Sequence, residues 1–267
     1  MEVYEGIVSL GGLVNIRSIR VTVITIVSLT INVPLQGQSV LLRLNSEEGA
    51  VNRYMMGLET LMDMPMLPAD EPLITGRVYQ TQTILSSEGE VFELQTKTDS
   101  ADISMPMLQA MGQTIPDMAG QSQTMKMDTR GRMMELIYRS DLEIGAGNWF
   151  TPELPENPVS PGESWTASIN VAVPAGMGGS MTLNMDVTYT LVSVSGDIAL
   201  IDFVGPITMV GSTQGMAMDG TGDFSGTMMF DVGGRRLERS ETIVNLDMRA
   251  AGMRMAMNQS VTMQLLH

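Results

Sequence analysis

Met181-Thr182-Leu183-Asn184-Met185-Asp186-Val187-Thr188-Tyr189-Thr190-Leu191 places six apolar side chains at alternate positions with polar residues between them. A period of two belongs to an extended strand with one buried and one wet face, because successive side chains leave opposite sides of the pleat. The same alternation runs through Trp165, Ala167, Ile169, Val171 and Val173, through Met134, Leu136 and Tyr138, and through Val244, Leu246 and Met248. It returns in the C-terminal run. There Met253, Met255, Met257, Val261, Met263 and Leu265 face one way, and Arg254, Asn258, Ser260, Thr262 and Gln264 face the other.

Glycines punctuate these runs at hairpin spacing, in Glu88-Gly89-Glu90, Thr129-Arg130-Gly131-Arg132, Ser195-Gly196-Asp197 and Val232-Gly233-Gly234-Arg235. Each is expected to supply the positive φ of a tight antiparallel turn. One stretch, Ile103 to Ile115, carries Met107, Leu108 and Met111 at helical spacing after Ser104 and Pro106, which predicts a short helix.

Thr124 to Arg132 resembles Thr227 to Arg235 at a constant offset of 103 residues, and the order of elements before each is the same. A strand opened by Gly49 and containing Tyr54 corresponds to one opened by Gly162 and containing Trp165. Thr75 to Ser86 corresponds to Ser180 to Ser193. The reading is two copies of one β-meander, 40–144 and 162–267, joined by a proline-spaced crossover over 145–161 with Pro152, Pro155, Pro158 and Pro161. The fold class expected is mainly β, the two related antiparallel meanders forming one curled sheet, half-barrel or sandwich with at most one or two short helices.

Residues 1–39 differ from the rest. Arg17 and Arg20 precede Val21 to Val33, which no charge interrupts, and Gly37-Gln38-Ser39 supplies a small-x-small end. This is the arrangement of a signal peptide. The apolar stretch falls short of the ~20 residues of a spanning helix, so the expectation is export to the periplasm or beyond, with no stable membrane span after leader removal. With 15 basic and 30 acidic residues the net charge is −15, which disfavours nucleic acid as a partner. The absence of cysteine excludes disulfides, thiolate metal sites and cysteine nucleophiles.

Several of these stretches carry a resemblance. The start Val40-Leu41-Leu42-Arg43-Leu44-Asn45, the early Gly49 to Tyr54 followed by Met55 and Met56, the central Pro161-Gly162-Glu163-Ser164-Trp165 and the late Gly-Arg hairpins look like a family of exported bacterial proteins of unknown function. The likeness spans roughly 40–266 and, resting on turns, implies no activity. A curled sheet with a covering helix is also similar in outline to the LolA-type lipoprotein carriers, which implies a concave face that holds acyl chains.

Methionine stands out at 27 of 267 residues, much of it at alternate positions. Met62, Met64 and Met66; Met105 and Met107; Met125 and Met127; Met216 and Met218; and Met253, Met255 and Met257 each place thioethers on one face of a strand. Three readings compete. Methionine fills the core of a chain with only 4% aromatic residues, or it lines a deformable cavity for a lipid-like molecule, or it binds copper(I), which soft thioethers select. Terminal His267 is the chain's only histidine, which ranks copper last. The candidate ligand-binding residues are Met181, Met185, Tyr189, Met253, Met255, Met257, Met125 and Met127. No catalytic residue, metal ligand or cofactor is assigned, since no HExxH, P-loop or GxGxxG motif occurs. Asp219-Gly220-Thr221-Gly222-Asp223 reads as a polar hairpin loop, Arg235, Arg236 and Arg239 as an exposed strand edge, and Trp149 and Trp165 as anchors of the crossover. The protein is expected to be non-enzymatic, with an apolar small molecule or an envelope protein as partner. A scaffold with a solid methionine core is the alternative.

Overall fold

The structure is a computed structural model and describes residues 39–63, 72–110, 112, 117–139, 151–174, 180–213, 216–250 and 252–267. The expected leader, Trp149, Met64 and Met66 lie outside the described residues. Eleven strands form: β1 (Val51–Asp63), β2 (Pro72–Glu88), β3 (Val91–Ser104), β4 (Ser122–Asp128), β5 (Met133–Arg139), β6 (Ser164–Pro174), β7 (Ser180–Ser195), β8 (Ile198–Thr213), β9 (Met216–Asp231), β10 (Arg236–Ala250) and β11 (Met253–Leu266). The only helix among the described residues, α1 (Pro106–Ala110), begins later than expected, and Met111 and Ile115 of the expected helix lie outside the described residues. Ile103 and Ser104 instead continue β3, paired to Gly76 and Thr75, and Gly112 takes a φ of 72° that ends a helix.

All eleven strands belong to one antiparallel sheet in the order β5-β4-β3-β2-β1-β11-β10-β9-β8-β7-β6. Chain neighbours pair throughout except β5 and β6, and the first and last strands pair with each other, Arg53 opposite Leu266 and Asp63 opposite Ala256. The order is that of an up-and-down barrel opened between β5 and β6, which remain edges. The arginines expected on an edge are therefore placed differently. Arg236 and Arg239 lie on β10, which is paired on both sides, and Arg235 lies in the turn before it.

Burial follows the alternation on the long strands, but not on the edge strand β5, where Met134 and Leu136, expected on a buried face, are exposed along with Met133 and Ile137. On β8, Ala199, Ile201, Phe203, Ile207 and Met209 are buried while Asp202, Val204, Thr208 and Val210 are exposed. The inner face holds one large cluster spanning β6 to β11 with Tyr54 of β1. A second cluster gathers Ile84, Phe92, Leu94, Met125 and Met127, and a third gathers Met56, Val78 and Val261.

The loop expected at Asp219–Asp223 is instead the interior of β9, with Asp223 opposite both Pro206 and Asn245. Its glycines make room for the neighbouring strand. A Cβ on Gly222 would overlap the Asn245 carbonyl, one on Gly226 the Glu241 carbonyl, and one on Gly205 the Asp186 carbonyl. Such close approaches let long strands bend together. Phe203 stands opposite Gly226 and Phe224 opposite Gly205, each ring within 3.1 Å or less of where the glycine's Cβ would lie. The aromatic rings thus cover the gaps the glycines leave.

The same local devices occur in β1–β4 and β6–β9. Gly49 N donates to Ile84 O (2.9 Å) and Ile84 N to Ala50 O (3.0 Å); Gly162 N donates to Leu191 O (2.7 Å) and Leu191 N to Glu163 O (3.0 Å). The register slips between Ile84 and Ser86 on β2 and between Leu191 and Ser193 on β7. Thr129 N reaches Glu90 O as Val232 N reaches Asp197 O. Gly89, Gly131 and Gly196 carry positive φ as expected, but in the β9–β10 turn Arg235 carries it, with φ 55°. There Gly234 serves a different need, because a Cβ would strike the Asp231 carboxylate, which accepts the Gly234 N–H at 2.7 Å.

Candidate functional site

The closed end of the curled sheet is built by two extended segments. Val40–Asn45 and the crossover from Thr151 run against the turn ends of the strands and pair once, Val40 with Val159. Leu42 and Leu154 are completely buried there. The Arg43 guanidinium donates to the carbonyls of Leu42 (2.6 Å), Pro155 (2.7 Å) and Glu156 (2.7 Å). Arg130 donates to Leu154 O at 2.9 Å and pairs with Glu153 at 3.2 Å. Trp165 anchors the same segment, its indole N–H donating to Glu153 O at 2.8 Å, and its ring stacks on Tyr189 at 5.3 Å between centroids.

Above this floor lies an apolar cleft of about 520 Å³, bounded by β6 to β11, by Met62 of β1 and by Thr151 and Pro152 of the crossover. β1 and β6 are separated in the sheet by five strands, so meeting around one cavity requires strong curling. Tyr189, Phe203 and Phe224 form its deep wall, consecutive rings about 6 Å apart. Gly220 adds hollow space, since a side chain there would enter between Met209 and Met248. Met62, Met181, Met218, Met255 and Met257 lie near the strand ends opposite the floor and are partly exposed.

The wall carries no charged residue. Its polar members are Thr151, Ser240, Thr242 and Gln259, besides the Tyr189 hydroxyl. Gln259 donates to Thr60 at 3.1 Å, so its amide is already engaged. Burial pushes the Tyr189 phenol up to about 12, against a smaller opposing effect of its backbone hydrogen bond to Glu153. The ring therefore faces the cleft neutral at ordinary pH.

Five of the eight candidate residues, Met181, Met185, Tyr189, Met255 and Met257, line this cleft. Met253 stands at the beginning of β11 and is 49% exposed outside it. Met125 and Met127 are buried with Ile84, Phe92 and Leu94 in the β2–β4 cluster. Met62, Met209, Met218, Met228 and Met248 also line the cleft. Alternation places Met62, Met218 and Met248 each on one face of a strand, whereas nothing in the sequence singled out Met209 and Met228, and only the curl shows which faces meet. Among the described residues no group of three or more histidine, aspartate or glutamate side chains is placed to hold a metal ion.

Residues 150–233, the crossover and β6 to β9, match the model of a family of unknown function (DUF6263), in keeping with the resemblance the sequence carries. No curated protein matches the chain. Among solved structures, Ail, the attachment invasion locus protein of Yersinia pestis, is 4% identical, covers 82% of this chain and 100% of its own, and has a TM-score of 0.22. A putative AttH from Nitrosomonas europaea is 7% identical, covers 85% and 98%, and has a TM-score of 0.19. Scores this low carry no argument about fold or role.

Proposed function

We propose that the protein is an exported, non-enzymatic carrier that holds an uncharged, lipid-like chain in the methionine-lined cleft. One observation carries this reading: a cavity of about 520 Å³ whose wall includes nine methionines and no charged side chain. That volume lies within the range of small-molecule sites, roughly 300–1,000 Å³. Unbranched thioether chains adapt to ligands of varied shape better than branched ones do. The outward faces of β7 to β10 present Asp186, Asp202, Asp223, Glu241 and Asp247 to water. A barrel facing lipid has the reverse pattern, apolar outside and polar within, so the polarity supports a water-facing molecule with an apolar interior. The leader-like 1–39 segment supports export.

The test is binding of an environment-sensitive apolar probe, N-phenyl-1-naphthylamine, with displacement by uncharged long-chain lipids. Saturable, displaceable fluorescence is expected. Met257→Asp, a partly exposed position, is expected to raise Kd at least tenfold while the folded signal persists. A wild-type protein that neither binds the probe nor co-purifies with lipid in native mass spectrometry contradicts the reading. The edge strand β5 favours a second, compatible role in docking an envelope protein, because Met133, Met134, Leu136 and Ile137 are all 46–62% exposed.

A further inference from the structure

Resting on the carrier reading, we propose that the methionines at the cleft mouth form an oxidant-responsive modification site. Their conversion to sulfoxide by a peroxide makes the wall polar and releases the ligand.

The chain has no cysteine, so its thioethers are its only sulfur and meet no thiol competitor for a two-electron oxidant. They are graded by exposure. Met62, Met181, Met218, Met255 and Met257 line the cleft and are partly exposed, whereas Met125 and Met127 sit in closed core at 1% and 0% exposure. The mouth thioethers are also adjacent. Met62 is directly opposite Met257 across β1 and β11, and Met255 is opposite the buried Met248 of the same wall across β11 and β10. Leucine would supply similar apolar area with better-defined rotamers, so apolarity alone does not select thioether at five half-open positions around one cavity.

The reaction balances with the peroxide as sole co-reactant. A sulfur lone pair attacks one peroxide oxygen, the S–O bond forms and the O–O bond breaks. Sulfur is oxidised by two electrons, and the other oxygen leaves as water, or as an alcohol from an organic hydroperoxide, taking the proton. The product is a polar acceptor in a wall that has few donors to satisfy it, so an apolar ligand loses its favourable surroundings. Sulfoxide reductases reverse the change.

The experiment uses the full chain, hydrogen peroxide and the N-phenyl-1-naphthylamine probe. Peptide mass mapping follows each sulfoxide, and Kd is measured before oxidation, after it, and after reduction by methionine sulfoxide reductases. The five mouth methionines are expected to oxidise ahead of Met125 and Met127, Kd to rise at least tenfold, and reduction to restore it. A variant carrying Met62→Leu, Met181→Leu, Met218→Leu, Met255→Leu and Met257→Leu alters the binding wall itself, so its own Kd before oxidation is the reference, and it is expected to keep that affinity through the same treatment. The pair Met255→Leu and Met257→Leu, a milder change, is expected to keep part of it. Replacing Met133, Met134 and Met229, exposed on other surfaces, by leucine is expected to give no protection. Equal oxidation of mouth and core, or affinity unchanged with the mouth fully oxidised, overturns the proposal and leaves the carrier reading standing. Failure of the reduced protein to bind the probe overturns the carrier reading and the ligand release with it, distinguishing the two.

Discussion

Gly222 shows how a single missing side chain shapes the sheet. The Asn245 carbonyl occupies the place its Cβ would take, so Gly222→Ala must push β10 away from β9, at about 3 kcal/mol or somewhat less. Gly220→Ala meets the Asp247 carbonyl at 3.1 Å, Met248 Cγ at 3.2 Å and Met209 Cε at 3.3 Å, tight contacts that a small shift relieves rather than an overlap with backbone. Urea unfolding is expected to show a clearly larger loss for Gly222→Ala, with the slope unchanged in both variants. The buried phenols give a second residue-scale prediction. Burial raises Tyr189 to about 12 and raises Tyr54 as well, while an unfolded tyrosine ionises near 10. Between those values the unfolded chain releases protons that the folded chain keeps, so stability falls as pH rises and is flat with respect to these groups below about 10. Each such tyrosine contributes a slope of up to about 1.4 kcal/mol per pH unit, and Tyr189→Phe is expected to remove one share of it in urea midpoints measured across that alkaline range.

Among elements, the two segments of the closed end are joined to each other by the Val40–Val159 backbone pair and by one guanidinium. Arg43 ties Leu42, Pro155 and Glu156 together by their carbonyls, and charged hydrogen bonds of this kind contribute about 1.5–3 kcal/mol. Arg43→Ala is expected to destabilise by an amount of that order, and amide exchange at Leu154 and Val159, which bond to Arg130 O and Val40 O, should quicken more than at β8. The strands themselves were legible because period two survives wherever one face is wet, as in Met181 to Leu191. Asp219–Asp223 was misread because aspartate and glycine compose a turn and a glycine-bent strand alike; only the position of the Asn245 carbonyl tells them apart. The arginines of β10 were misread for a related reason, since an alternating charged strand looks like an edge until its partner β11, the last in sequence, is known to close against β1. Met125 and Met127 share the pattern of the cleft residues, yet Phe92 and Leu94 fill the space before them. Which apolar face stays hollow depends on volumes contributed by several strands, and no local pattern carries that.

At the scale of the molecule, ten pairings hold the sheet together, and nine join chain neighbours. The exception, β1 with β11, joins the β1–β5 meander to the β6–β11 meander, while the inner faces keep largely separate cores. β7, β8 and β9 each run 16 residues, whereas β4 and β5 run seven. Long strands over the larger cluster are expected to open last and the short edge pair first, in the manner of subglobal units. A ligand in the cleft touches β6 to β11 and, in β1, only Met62. At a hundred times its Kd, a ligand that binds only the folded form stabilises that form by about 2.7 kcal/mol. If the two meanders open separately, probe binding should slow amide exchange across β6 to β11 by about a hundredfold and leave β4 and β5 nearly unchanged. Hydrogen exchange with and without N-phenyl-1-naphthylamine reads this directly, and equal slowing in β4, β5 and β8 would mean that the β1–β11 seam couples all eleven strands into one cooperative unit.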